Sequence, residues 1–138
     1  MEKTEIVING RAQVVDILKR LSEDHKNKIL KSLIKKSPNL ANELAWQTLT
    51  FESIVHFESA QISILIEYVS TQILAMALSD QPSELQRKLL GTMNRERAKE
   101  TFMYIKSRPN KPHDCKKARE KIVDIATTLM QKKIIELT

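Results

Sequence analysis

The stretch LAMALSDQPSELQRKLLGTMNRERA, residues 74–98, decides the fold class. It begins as an apolar run, breaks at a polar turn, and resumes as a charged segment around a sparse apolar stripe. Pro82 and Glu84 suit the first turn of a new helix, because proline needs no amide partner there and a carboxylate is favoured at the positive end of the helix dipole. Gly91 fits a helix C-cap, and Asn94 fits the N-cap that follows. Three short helices joined by tight turns are therefore predicted here.

The composition extends this helical prediction to the whole chain. Its 138 residues include only two glycines and four prolines. Leu, Ile, Lys, Glu, Ala and Gln, which favour helices, are plentiful. A chain of this length can bury one core or two small helical lobes. We expect an all-α protein.

Apolar spacing and turn signals predict two lobes. Apolar residues recur at helical spacing in "VVDILKRL", and Ser22 then suits the N-cap of a second helix that directs Ile29 inward. Ser37 and Pro38 restart the chain as cap and first helical residue. The β-branched threonines of "TLTFES" argue against an uninterrupted helix. We therefore predict a three-helix lobe at 1–50, similar to a piece of an α-solenoid, and a small helical-bundle lobe at 51–138.

The second lobe is expected to bury its most apolar segments. "AQISILIEYVS" and "TQILAMAL" are apolar around most of their circumference and should lie at its centre. In the next helices, Ala98, Phe102 and Ile105 are expected to face inward, while Arg95 faces out. "SRPNKPHD" is the clear loop, and a last helix from about His113 carries a long apolar stripe.

Chemistry is sparse in this sequence. Three separated histidines and the single Cys115 lack the close spacing of metal ligands, and no glycine-rich phosphate loop occurs. No catalytic residues, metal or cofactor are expected, so an enzyme is the weaker hypothesis. Nothing resembles a signal peptide or a membrane-spanning run, which predicts a cytoplasmic protein without membrane insertion. The net charge of +6 suits an acidic protein face, a nucleic acid or a membrane surface, and charge alone does not choose among them.

The order of these segments resembles the C-terminal region of the flagellar motor switch protein family FliG. The resemblance runs from about Gly10 to the end and rests on "VVDILKRL", "SPNLANEL", "TFESIV", "ALSDQPSELQRKLLGTMNRERA" and "KKAREKIVDIATTL". It implies an armadillo-like repeat followed by a six-helix lobe. The family's hydrophobic hinge falls at Thr48, Leu49, Thr50 and Phe51, of which only the phenylalanine is kept. We expect faster hydrogen exchange at 46–53 than in the flanking helices.

The resemblance also implies partner-binding positions. The positive residues of the family's charged ridge fall at Ser79, Arg97 and Lys111, with Arg95 beside them. The paired acidic positions fall near Tyr104 and Ile105, so alternating charge becomes a basic patch. As surface contacts, Arg97 and Lys111 could both be changed to glutamate with the fold intact.

Two functions follow as hypotheses. The resemblance implies a rotor component that meets the stator protein MotA and the switch protein FliM for torque generation and direction switching, at the inner-membrane face of the flagellar basal body. It also implies stacking of the first lobe on another chain. The alternative is a helical adaptor outside the motor whose basic surface binds another anionic partner. Nucleic acid is not the expected partner, and tight, steeply salt-dependent DNA binding would favour a variant of the adaptor hypothesis.

Overall fold

The computed structural model describes residues 2–107 and 111–136, with side chains from residue 10 onward. These residues contain helices and no strand, which confirms the all-α prediction. The helices are α1 (Glu2–Arg20), α2 (Glu23–Lys36), α3 (Pro38–Gln47), α4 (Phe51–Val55), α5 (Ser59–Glu67), α6 (Thr71–Leu78), α7 (Ser83–Leu90), α8 (Arg95–Ser107) and α9 (Pro112–Gln131). The predicted loop at 107–114 lies partly outside the described residues, and α9 begins within it.

The chain divides into two compact units. The described residues up to Leu49 form the first, and Thr50–Glu136 form the second. The first unit contains α1 to α3 and the second contains α4 to α9. The division falls inside the "TLTFES" segment, where α3 has ended and α4 has not begun.

Local capping explains where the helices of the first unit begin. The Ser22 hydroxyl accepts the His25 amide at 3.3 Å, as the sequence predicted for an N-cap. Pro38 opens α3, where its missing amide costs nothing. α2 packs on α3, and the small core contains Leu18, Leu30, Ala41, Leu44 and Ala45.

The first unit leaves apolar side chains uncovered. Ile17 is 56% exposed, and Val14 and Ile29 are exposed as well. The prediction that Ile29 faces inward is therefore wrong. Three helices enclose only one central row of side chains, so the neighbouring positions of the apolar stripe remain at the surface.

The second unit is built around α6, which packs against both α8 and α9. Ser70 caps α6 by accepting the Ile73 amide at 3.2 Å. The buried core of this unit includes Ile54, Ile62, Leu65, Ile66, Leu74, Ala77, Leu78, Ala118, Ile122, Ala126, Leu129, Met130 and Ile135. The apolar segments predicted to lie at its centre do lie there.

The inward face of α8 differs from the prediction. Thr101 is fully buried, whereas Phe102 is 44% exposed. The Thr101 hydroxyl points toward Met93 Sδ at 3.6 Å, and Lys106 lies over the Phe102 ring at 5.4 Å from its centroid. Successive residues of a helix point about 100° apart, so the burial of Thr101 turns Phe102 toward the surface. The prediction that Phe102 faces inward is wrong.

Candidate functional site

Basic side chains hold the carboxyl ends of four successive helices in the described part of the chain. Lys26 donates to Thr48 O after α3, Lys88 to Val55 O in α4, Arg97 to Ile66 O and Val69 O at the end of α5, and Arg119 to Ala77 O in α6. A cation is favoured at this end of a helix, because it meets the negative pole of the dipole and the last unpaired carbonyls. Part of the positive charge therefore serves the fold.

Arg97 was predicted as a partner contact, and the structure gives it an internal role. Its Nη1 donates to Ile66 O at 2.8 Å, and its Nη2 donates to Val69 O. Both acceptors belong to buried residues, and Arg97 itself is half-buried. Its backbone amide is also fixed, by the Asn94 side chain at 2.8 Å. Replacing Arg97 by glutamate would therefore remove hydrogen bonds within the protein. Partner binding by Arg97 stays a prediction, and this substitution alone cannot test it.

Arg119 forms an ion pair as well as a cap. Its Nη1 lies 2.5 Å from Asp80 Oδ1 and 2.9 Å from Ala77 O. Partial burial raises the pKa of the Asp80 carboxyl, but hydrogen bonds from Arg119 and Gln81 and the guanidinium charge outweigh it, so that pKa lies below its usual value. The pair ties the turn after α6 to α9.

Ser79 and Lys111 lie near one another at the carboxyl end of α6. Ser79 is half-buried, and its hydroxyl contacts Met76 O at 3.0 Å and Cys115 Sγ at 3.1 Å. Cys115 in turn donates its amide to Lys111 O at 3.1 Å, one turn away on α9. Lys111 is the exposed N-cap of α9. Ser79 therefore packs inward, and Lys111 is the charged group presented at this end.

The helix α6 separates the four predicted positions into two pairs. Arg95 is the exposed first residue of α8, and Arg97 bonds the residues just before α6. Ser79 is the C-cap at the opposite end of α6. An eight-residue helix is about 12 Å long. The structure therefore does not gather the predicted residues into one site.

The predicted hinge residues are held by hydrogen bonds. The buried Thr48 donates its hydroxyl to Leu44 O at 2.8 Å, and its carbonyl accepts Lys26 Nζ at 2.9 Å. Thr50 and Ser53 form a reciprocal capping box at the start of α4. Leu49 and Phe51 are half-buried. These contacts oppose the expected fast exchange at 46–53, which stays a prediction.

Lys26 is a residue that the sequence analysis missed. It is only 3% exposed, and Glu23 Oε1 lies 2.9 Å from its ammonium group. Burial of a lysine without a partner is costly, and here both a carboxylate and a carbonyl compensate. The spacing of Glu23 and Lys26 on one helix was visible in the sequence, but the Thr48 carbonyl lies 22 residues away.

An apolar groove lies on the first unit. It has a volume of about 590 Å³ and is lined by Gly10, Arg11, Val14, Ile29, Ser32, Leu33, Lys36, Leu40 and Leu44. Two exposed aliphatic side chains, Val14 and Ile29, stand within it. Arg11 pairs with Glu43 at 3.3 Å on its rim. The groove gives the unit a surface on which another apolar face could pack.

The described residues form neither a metal-ligand cluster nor a membrane-spanning helix. They contain no group of three or more His, Cys, Asp or Glu side chains placed to hold a metal ion. None of the described helices combines the length and apolar character needed to cross a membrane. What the two units do present is an apolar groove and exposed basic side chains. The two units therefore define an all-α class of protein with surface features suited to packing and charge contacts.

The particular family is given by comparison with known proteins. The model of the FliG C-terminal domain family matches residues 31–137, and the chain belongs to that family. A flagellar motor switch protein FliG from Thermotoga maritima is 26% identical over 94% of this chain, and one from Aquifex aeolicus is 24% identical over 98%. The chain spans 39% and 42% of the length of these two relatives.

Solved structures agree with this assignment. A crystal structure of a FliG fragment from H. pylori has a TM-score of 0.64 at 25% identity, covering 91% of this chain and 55% of that one. Full-length FliG from Aquifex aeolicus has a TM-score of 0.60 at 24% identity, over 89% of this chain and 39% of that one, which shows a shared fold. The resemblance inferred from the sequence is confirmed.

Proposed function

We propose that this chain is a component of the flagellar rotor and switch complex. The observation that carries the proposal is the FliG C-terminal domain match over residues 31–137. In this role the chain binds other proteins and does no chemistry of its own. Its location would be cytoplasmic, at the inner-membrane face of the basal body.

The second unit would meet the cytoplasmic loop of the stator protein MotA. Lys111 and Arg95 are the predicted positive positions whose charge is exposed. Ser79 and Arg97 would act indirectly, by fixing the two ends of α6. Exposed charges of this kind steer association and confer specificity more than raw affinity.

The first unit would stack on another chain of the switch complex through its apolar groove. Val14 and Ile29 are exposed in this groove, and Ile17 is exposed elsewhere on the same unit, without cover from the described residues of this chain. An aspartate in place of Ile29 should weaken such stacking, because a carboxylate would have to be buried. FliM is the further partner implied by the family, and no residue of this chain is assigned to it.

Deletion of the gene tests the proposal when swimming and filament assembly are scored separately. A strain without filaments would indicate a role in assembly, and a strain with paralysed filaments a role in torque. Complementation with Lys111→Glu should restore filaments and leave swimming impaired, while Lys116→Glu, another exposed lysine of α9, is the matched control. Normal swimming after deletion would overturn the proposal.

One observation favours the alternative of a helical adaptor outside the motor. By the resemblance, the paired acidic positions of the family's ridge fall near Tyr104 and Ile105, and Tyr104 is exposed. The surface thereby loses the alternating charge that would meet an oppositely patterned stator loop. Binding of an acidic protein that survives in a strain without flagella would support this adaptor function.

A further inference from the structure

A second cleft lies in the second unit, along the carboxyl-terminal half of α9. Its volume is about 510 Å³, within the range of ligand-binding clefts. Its lining consists of Tyr68, Lys121, Asp124, Ile125, Thr128, Leu129, Lys132 and Ile134. None of these residues is among the predicted partner positions, so the cleft does not depend on the function proposed above.

A tight turn after α9 builds one wall of this cleft. The Ile134 amide donates to Leu129 O at 2.9 Å, and the Lys133 amide donates to Met130 O at 3.1 Å. This is the Schellman arrangement, in which the residue after the C-cap takes a left-handed conformation. Lys133 does so with φ of 60°, the one non-glycine residue with positive φ in the described part. The turn brings Ile134 back beside Leu129.

Four of the side chains that line the cleft are aliphatic or aromatic. Leu129 is buried and Ile125 half-buried, while Tyr68 is 53% exposed and Ile134 is 40% exposed. Tyr68 comes from the C-cap of α5, whereas Ile134 comes from the turn after α9. Two large exposed side chains flanking a cleft are the feature expected where an apolar segment packs.

The charges of the cleft stand at its ends. Lys121 and Lys132 are exposed, eleven residues apart, and thus about 16 Å apart along the helix axis. None of the ion pairs formed by the described residues involves either lysine or Asp124. Asp124 lies between them in sequence, one residue from Ile125. The two ammonium groups are therefore available for carboxylates from outside.

We propose that this cleft binds an amphipathic helical segment of a partner protein, with apolar side chains in the middle and an acidic residue near each end. A helix of about three turns spans the distance between Lys121 and Lys132. A small carboxylate could reach one lysine only, so charge complementarity at both ends selects a peptide segment. The apolar face of that helix packs on Tyr68, Leu129 and Ile134, in the helix-in-groove mode of recognition.

A designed peptide provides the probe. It is a blocked, lactam-stapled, alanine-based helix of about twelve residues with leucine at every third or fourth position and glutamate at each end. Titration into the isotopically labelled protein at up to about 1 mM should shift the NMR signals of Tyr68, Ile125, Leu129 and Ile134. A peptide with lysine at both ends should bind at least about fivefold more weakly.

Matched protein variants separate specific docking from general charge attraction. The double variant Lys121→Glu with Lys132→Glu should weaken binding of the glutamate peptide about tenfold and strengthen binding of the lysine peptide. The pair Lys116→Glu with Lys117→Glu, at exposed positions of α9 outside the cleft, should leave both affinities within about twofold. Circular dichroism of each variant verifies that the fold is retained.

Several outcomes would overturn the proposal. The absence of localised shifts at about 1 mM peptide would show that the cleft does not bind such a helix. Equal binding of the glutamate and lysine peptides would show that the interaction is non-specific. An equal effect of the cleft variants and the control variants on binding would show the same. If decanoate shifts the same signals and the peptide does not, the cleft is a site for small anionic amphiphiles, and the proposal is wrong.

Discussion

Replacing Arg97 by alanine should destabilise the second unit. The guanidinium donates to two carbonyls, Ile66 O and Val69 O, at the point where α5 ends and α6 begins. Hydrogen bonds to charged groups contribute about 1.5 to 3 kcal/mol each when well formed. The Ile66 carbonyl keeps a second donor, the Val69 amide at 3.1 Å, so removing the guanidinium costs less free energy at this carbonyl. Because Arg97 is half-buried and water can replace part of the bond, we expect a loss of about 2 kcal/mol in total.

Urea unfolding followed by circular dichroism measures this loss. Arg95→Ala is the matched control, because Arg95 is exposed on the same turn of α8, and it should change the free energy of unfolding by no more than about 0.5 kcal/mol. Arg97→Lys should fall between the two, since one ammonium group can still reach a carbonyl. Faster hydrogen exchange at the amides of α5 and α6 would assign the loss to the second unit.

An Arg97→Ala protein as stable as the Arg95→Ala control would contradict this structural role of Arg97. In that case the two carbonyls would be satisfied by water, and Arg97 would be an ordinary surface residue. Its charge reversal would then be a clean test of partner binding. A stability loss confined to Arg97 means that binding must be tested at Lys111 and Arg95 instead.

Three further changes test other contacts. Asp80→Asn should lower the free energy of unfolding by about 0.5 kcal/mol near neutral pH, because the pKa of the Asp80 carboxyl is lowered in the folded state. This difference between the two proteins should vanish as the pH falls through the lowered pKa. If urea unfolding showed the same difference at acid pH, the pairing of Asp80 with Arg119 would be contradicted. Lys133→Gly should raise stability by about 1 kcal/mol, because glycine adopts positive φ without strain, and calorimetry that shows a loss would contradict the turn geometry. Thr50→Ala should cost about 1 kcal/mol and speed hydrogen exchange at Ser53 and Ile54, whereas unchanged exchange would show that the capping box adds nothing.

The starts of helices could be predicted from the sequence because they depend on neighbouring residues. Ser22 and Ser70 cap the helices that directly follow them, as their hydroxyls reach amides three residues on. The stripe of α9 was likewise visible, since Ala118, Ile122 and Ala126 recur every four residues and are buried. Periodicity and capping depend on residues close in sequence, so the folded chain keeps the caps and the buried stripe that the sequence predicted.

Gly91 is the C-cap of α7, as predicted, but the distant side chains that hold other helix ends could not be predicted in the same way. Arg97 reaches Val69 O across 28 residues, and Arg119 reaches Ala77 O across 42. These distances in sequence are closed only by the packing of the second unit. One signal was present: a chain with two glycines has few residues for the usual left-handed C-cap, while it has 23 lysines and arginines that can serve instead. Such an excess indicates that some cations act inside the fold.

Periodicity also misplaced two apolar residues, and the reasons differ. Phe102 directly follows the fully buried Thr101 on α8, and because successive helix residues point about 100° apart, the buried face is centred on Thr101 and leaves Phe102 exposed. Ile29 belongs to a stripe wider than the core of a three-helix unit can enclose. The pattern correctly marked both as apolar, but burial depends on which neighbours are present.

The exposed residues of the first unit give physical support to the proposed stacking. Fully burying an aliphatic side chain contributes about 1.5 to 3 kcal/mol, and Val14, Ile17 and Ile29 are each about half exposed, so covering all three would add about 2 to 4 kcal/mol that the described residues of this chain do not gain. A small helical unit has little stability to spare, and a repeat of this kind gains by covering such a face with a neighbouring repeat. The misplacement of Ile29 and the presence of the groove therefore have one cause. The helical pattern is that of a buried surface, and a second chain is what would bury it.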